Sequence, residues 1–141
     1  MCGITGIMTA SGAPPDRTAI LSMQQSLIHR GPDGEGLHFA DSVGMAQRRL
    51  AIIDLETGDQ PFRLDDGVTL IANAEIYNYV ELRREFTTVS FTSKSDCEVA
   101  LHLYSRDGDG FANRLRGMYA IATHDPGERR LLLARDPFGI K

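Results

Sequence analysis

Apolar residues recur in short runs separated by polar, glycine- and proline-bearing segments, and the spacing inside each run predicts its element. Residues 4–8 read as a short buried strand, broken by Ser11-Gly12-Ala13-Pro14-Pro15. Asp16 then caps a helix whose apolar stripe, Ile20, Leu21, Met23, Leu27 and Ile28, follows a 3.6-residue period and stops before Gly31-Pro32. After the loop around Arg30, residues 36–40 and 43–53 read as paired strands joined by Asp41-Ser42. The second is rich in branched apolar residues at Leu50, Ile52 and Ile53. A polar loop continues to Pro61.

Asp65-Asp66-Gly67 is a turn into residues 68–72, a run apolar enough for a strand covered on both faces, which places Asn73 at a strand end. Asn78 with Glu81, and Ser95 with Glu98, have the spacing of capping boxes. They predict a short helix through Leu82 and Phe86, and a longer one to about Arg106 that packs Val99, Ala100 and Leu103 inward and stops at Asp107-Gly108. Asp96 and Cys97 fall in its first turn. Residues 117–123 and 130–135 form a hairpin around Asp125-Pro126-Gly127-Glu128, and Leu131 to Ala134 are apolar throughout. Without repeats or a linker, residues 1–141 make one domain. Strands covered on both faces with helices between them predict an α+β sandwich of two packed sheets covered by helices.

Composition adds mainly exclusions. With 141 residues, 42% hydrophobic and 24% charged, the chain has ordinary globular usage. The net charge of −4 and the pI near 5.5 provide no basic stripe, so no nucleic-acid partner is expected. Neither a signal segment nor an apolar run of membrane-spanning length is visible, which predicts a cytoplasmic chain with no membrane contact. The four histidines have no metal-ligand spacing with each other or with the two cysteines, so no metal is expected. The glycines of 31–36 and 108–110 do not follow strands in the manner of a phosphate loop, so no cofactor-binding residues are expected.

The candidate chemistry begins at Cys2. Once Met1 is removed, Cys2 carries a thiol and a free α-amine on one residue, and the amine can take the thiol proton directly or through one water. Attack of a thiolate on a carboxamide builds negative charge on the carbonyl oxygen. Asn73 and the N–H of Ala74 are suited to receive it, although Asn73 also reads as a turn-former leaving a strand. Recognition of an amino acid needs a cation and acidic acceptors, for which Arg49, Glu75 and Asp96 are candidates. Arg49 equally suits a salt bridge to a carboxylate such as Asp54, and Asp96 equally suits the dipole of a helix first turn.

Met1-Cys2-Gly3-Ile4, His29-Arg30-Gly31-Pro32-Asp33, Arg49-Leu50-Ala51-Ile52-Ile53-Asp54, Asn73-Ala74-Glu75-Ile76-Tyr77-Asn78, Ser95-Asp96-Cys97-Glu98 and Arg135-Asp136-Pro137-Phe138-Gly139-Ile140-Lys141 occur in this order. Together they resemble the glutaminase (class II glutamine amidotransferase) domain of glutamine-hydrolysing asparagine synthetases, over the whole chain. The resemblance implies the N-terminal-nucleophile hydrolase fold, a four-layer αββα sandwich of two antiparallel sheets. It also implies hydrolysis of L-glutamine to glutamate and ammonia through a glutamyl thioester on Cys2. Asn73 and Ala74 would then form the oxyanion hole, and Arg49 would hold the glutamine carboxylate. Glu75 and Asp96 would meet its ammonium group, Leu50, Ile52 and Ile53 would line the pocket, and Arg30 and Asn78 would support the loops.

Two departures stand out. The family usually has glycine where Ala74 stands, which matters if that position needs φ > 0. The family also continues beyond Asp-Pro-Phe-Gly-Ile-Lys with further strands and a synthetase domain that uses ATP and Mg to convert aspartate to asparagine. On this reading the chain is a C-terminally truncated domain, its synthetase domain supplied in cis or by a partner chain, with a homodimer left open.

Overall fold

A computed structural model describes residues 1–141. β1 (Gly3–Met8), β2 (Gly34–Ala40) and β3 (Val43–Arg49) form an antiparallel sheet in the order β1-β3-β2. A second antiparallel sheet has the order β4-β5-β6-β7, from β4 (Phe62–Arg63), β5 (Thr69–Ile76), β6 (Gly117–Asp125) and β7 (Arg130–Arg135). Val43 and Met45 of the first sheet pack on Ile71 and Ala122 of the second, with Ile4 and Leu131 beside them, so the sheets meet face to face. α1 (Arg17–Ser26) covers the outer face of the first sheet, setting Ile20 against Gly44. The outer face of the second carries α2 (Tyr79–Arg84), α3 (Glu98–Asp107) and a 3₁₀ turn (Gly108–Arg114) over a core that includes Leu70, Ala72, Leu101, Leu103, Phe111 and Ile121. This is the predicted αββα order, with one apolar cluster between the sheets and a larger one under α2 and α3.

Several local expectations are corrected. α1 keeps its Asp16 cap, whose carboxylate accepts from the Thr18 N–H at 2.8 Å, but it ends at Ser26, and Leu21 and Ile28 stay exposed. The inward partner of Ile20 is Gln24, whose amide donates to the carbonyls of Gly36 and Gln47 and ties the helix to the sheet. β3 stops at Arg49, so Leu50, Ile52 and Ile53 belong to the loop after it. β5 runs on to Ile76 and pairs with β6 along its length, which puts Asn73 inside a strand and not at its end. β4 and the 3₁₀ turn carry too few residues for a periodic signal.

Neither predicted capping box forms. Asn78 donates to the Arg114 carbonyl and accepts from the Arg116 N–H, bracing the entry to β6. Glu98 turns its buried carboxylate onto the N–H and hydroxyl groups of Thr92 and Ser93. Burial alone would raise its pKa, but those hydrogen bonds and His102 hold it down at about 2. Ser95 accepts instead from the Cys97 N–H, so Asp96 and Cys97 precede α3.

At the end of the sandwich away from Cys2, His38 of β2 meets His124 of β6 at 2.9 Å between the sheets. Arg63 can only donate, and it donates to His38 Nδ1 at 2.9 Å. The proton of His38 therefore sits on Nε2 and points at His124 Nδ1. Burial, then His124, then Arg63 push the His38 pKa down to about 4, and burial lowers that of His124 against the pull of Asp41 and Asp125. A depressed histidine contributes fully above the unfolded value of about 6.5 and loses its contribution as pH falls through 4. Melting temperature is therefore expected to fall between pH 6.5 and 4.5, and His38→Asn is expected to flatten that slope. A wild-type melting temperature constant over this interval would rule the clamp out.

Candidate active site

Cys2 lies one residue before β1, at the end where β3 gives way to its loop. The Leu50 N–H donates to Cys2 Sγ at 3.3 Å, and Arg30 Nε donates to the Cys2 carbonyl at 3.2 Å. The residue is thus clamped by the loops after α1 and β3. Gly31 makes this possible by approaching the Arg48 backbone so closely that any Cβ would collide with it.

β5 supplies the opposite wall. Tyr119 uses its carbonyl for the Asp136 N–H and its own N–H for the Asp136 carboxylate, both away from β5. Ala74 is the residue paired with Tyr119, so its N–H and C=O also point away from β6, towards the free edge of β5. Along that edge Leu70 pairs with Phe62, Ala72 exchanges two hydrogen bonds with the Gln60 side chain, and the Ile76 N–H is held by Asp96 Oδ2 at 2.7 Å. Only the Ala74 N–H is left aimed into the cavity. Ala74 is absent from the positive-φ residues, and its methyl packs on the α3-side core. Alanine therefore fits where the family usually has glycine. Asn73 alternates to the other face, towards the first sheet, where its carboxamide lines the cavity with 7% of the residue exposed.

Arg49 is buried, and its guanidinium is the post around which the loop 50–59 winds. Nη1 donates to Asp59 Oδ1 at 2.8 Å, and Nη2 donates to the carbonyls of Ile53, at 3.1 Å, and Asp54. Gly58 crosses so close to the guanidinium that a side chain there would strike it. The ion pair is thus with Asp59, while Asp54 contributes a carbonyl and uses its carboxylate on Thr57 and Lys94. The Nε–H of Arg49 remains free for a ligand.

Cys2, Arg49, Leu50, Ile52 and Ile53 line one cavity together with Asn73, Ala74, Glu75 and Asp96. Arg30 touches Cys2 from outside it, and Asn78 stands further off, on the β6 side. Ile52 and Ile53 form the mouth, 63% and 38% exposed. Gln60, Cys97 and Lys141 also line the cavity, and none of them was a sequence candidate. Gln60 carries no local pattern, since its partner is a strand edge that only the fold creates. Burial, followed by the charge of Asp96, pushes the Cys97 thiol well above its ordinary pKa, which keeps it protonated. Burial also raises the Asp96 carboxyl, opposed by the Ile76 N–H and reinforced by the charge of Glu75.

A sequence profile described as a glutamine amidotransferase domain matches residues 1–141. The chain belongs to the glutamine amidotransferase domain family. It is 42% identical over 146 residues to a glutamine-hydrolysing asparagine synthetase of Bacillus subtilis, covering all of this chain and 19% of that protein. It is 38% identical over 142 residues to a glutamine-hydrolysing asparagine synthetase of Arabidopsis thaliana, covering 99% of this chain and 25% of that one. The chain thus spans a quarter or less of these relatives and matches their N-terminal glutaminase domain. Among solved structures, the glutamine phosphoribosylpyrophosphate amidotransferase of Bacillus subtilis superposes with a TM-score of 0.77 at 23% identity, over all of this chain and 38% of that one. That likeness establishes the N-terminal-nucleophile hydrolase fold for this amidotransferase domain. No group of three or more His, Cys, Asp or Glu is placed to hold a metal ion, and no helix is long and apolar enough to cross a membrane.

Proposed function

We propose that the chain hydrolyses L-glutamine to glutamate and ammonia with Cys2 as nucleophile. The observation that carries the reading is the position of Cys2 Sγ at the end of one sheet, in a cavity whose other wall presents the Asn73 carboxamide and the unpaired Ala74 N–H. After removal of Met1, the Cys2 amine takes the thiol proton and the thiolate attacks the side-chain carbonyl of glutamine. The oxyanion is received by Asn73 and Ala74, and the leaving nitrogen takes the proton from the amine and departs as ammonia. The same amine then draws a proton from water, which attacks the glutamyl thioester, releases glutamate and regenerates the thiol. Glu75 and Asp96 face the substrate ammonium group, and the free Nε–H of Arg49 serves its carboxylate.

The relatives support a destination for the ammonia: ATP-dependent conversion of aspartate to asparagine, with ATP and Mg held by residues outside this chain. The proposed partners are therefore L-glutamine and a synthetase domain. The test is intact-mass analysis of the purified chain before and after exposure to a diazoketone analogue of glutamine, alongside ammonia release. A chain lacking Met1, labelled once at Cys2 and protected by glutamine is the expected result. Equal labelling of Cys97, or no ammonia release from a chain without Met1, would sink the proposal.

A further inference from the structure

The segment Asp136-Pro137-Phe138-Gly139-Ile140-Lys141 plays no part in the chemistry above, yet it is tightly built. The Asp136 carboxylate accepts from the N–H groups of Phe138, Ile140 and Lys141 as well as Tyr119, at 3.0–3.2 Å. Those donors, Ile140 foremost, hold its pKa at about 2, and Arg135 Nε fixes the Lys141 carbonyl at 2.7 Å. The turn aims the Lys141 side chain into the cavity, where only 3% of it is exposed and Nζ stands 3.5 Å from Glu75 Oε1. A buried ammonium needs an anionic partner, and Lys141 has found one that the proposed function assigns to the substrate. With that side chain in place about 40 Å³ of the cavity is open to water, and the Glu75 carboxylate is already engaged.

We infer that Lys141 is an internal placeholder for the glutamine ammonium group: it occupies Glu75 in the empty site and must be displaced for substrate to bind. The inference rests on the glutaminase reading. A competitor of this kind lowers apparent affinity by the fraction of molecules in which it occupies the site. Lys141→Met keeps the unbranched apolar stem and removes the charge. It is expected to lower KM for glutamine about 3–10-fold, with kcat changing less than KM does. A second readout needs no turnover. In a Cys2→Ala chain, acylation of Lys141 by an N-hydroxysuccinimide ester, mapped by peptide mass, is expected to be slow alone and several-fold faster with saturating glutamine.

A raised KM with slower acylation would mean that Lys141 grips the substrate carboxylate, and would overturn the inference. An unchanged KM, or acylation indifferent to glutamine, would overturn it equally. Wild-type protein that releases no ammonia would remove the glutaminase reading itself, a failure seen before any Lys141 variant is made.

Discussion

Cys2→Ala is expected to lower ammonia release from glutamine by at least about 10⁴-fold, because in N-terminal-nucleophile chemistry one residue supplies both attacking atom and base position, and loss of a nucleophile typically costs that much or more. Nothing else in the cavity can replace it. Cys97 is buried and held as a thiol by its surroundings, and Lys141 is paired with Glu75. Stability should change little, since Cys2 is only half-buried and its sulfur hydrogen-bonds only with the Leu50 backbone. An ammonia-coupled assay together with a thermal melt checks both halves. A variant that keeps a tenth of wild-type activity would show that the thiol is not the nucleophile.

The second large effect is at Asn73. Asn73→Ala is expected to reduce kcat by about 10²–10³-fold while KM moves only a few-fold, the signature of a donor used in the transition state more than in the ground state. The Ala74 N–H remains in this variant, so residual activity should exceed that of Cys2→Ala by an order of magnitude or more. If KM rises while kcat holds, Asn73 binds the ground-state amide and the oxyanion site lies elsewhere.

The sequence revealed element types better than element limits. The Asp16 cap of α1, the turn of the β6–β7 hairpin and the apolar run of α3 act over a few residues, and they located those elements, although the cap predicted for α3 does not form. The errors at residues 50–53 and 73–76 share one cause. Apolar content continued past the end of β3, and polar residues began before the end of β5, because each strand finishes at the site, where side chains serve the cavity and not the core. Asn73 and Glu75 look like strand-ending residues by composition, and only their pairing with Ala120 and Met118 shows otherwise.

Polar side chains were missed, or in the case of Glu98 misread, for a related reason. Gln24, Glu98 and Gln60 do not follow apolar periodicity, and each is buried on backbone groups whose availability depends on tertiary structure. Arg49 is the intermediate case. Its burial in a strand correctly signalled a partner, but that partner is largely its own loop. The free Nε–H leaves the substrate role open to it and makes the guanidinium a scaffold first.

The alternation along β5 sets which kinds of genetic change this site can survive. Residues 69, 71, 73 and 75 spend their backbone groups on β6, and residues 70, 72, 74 and 76 turn theirs to the opposite edge. Exchanging one side chain for another leaves that alternation untouched, which is how alanine can stand at position 74. Adding or deleting a single codon between the Gly67 turn and Ala74 would rotate every later residue to the wrong edge, burying the one free N–H in the sheet and turning the carboxamide of Asn73 towards the helices. A lineage of such domains can therefore exchange residues here wherever the side chain, unlike that of Asn73 or Glu75, does not serve the cavity, while its length in this stretch stays fixed.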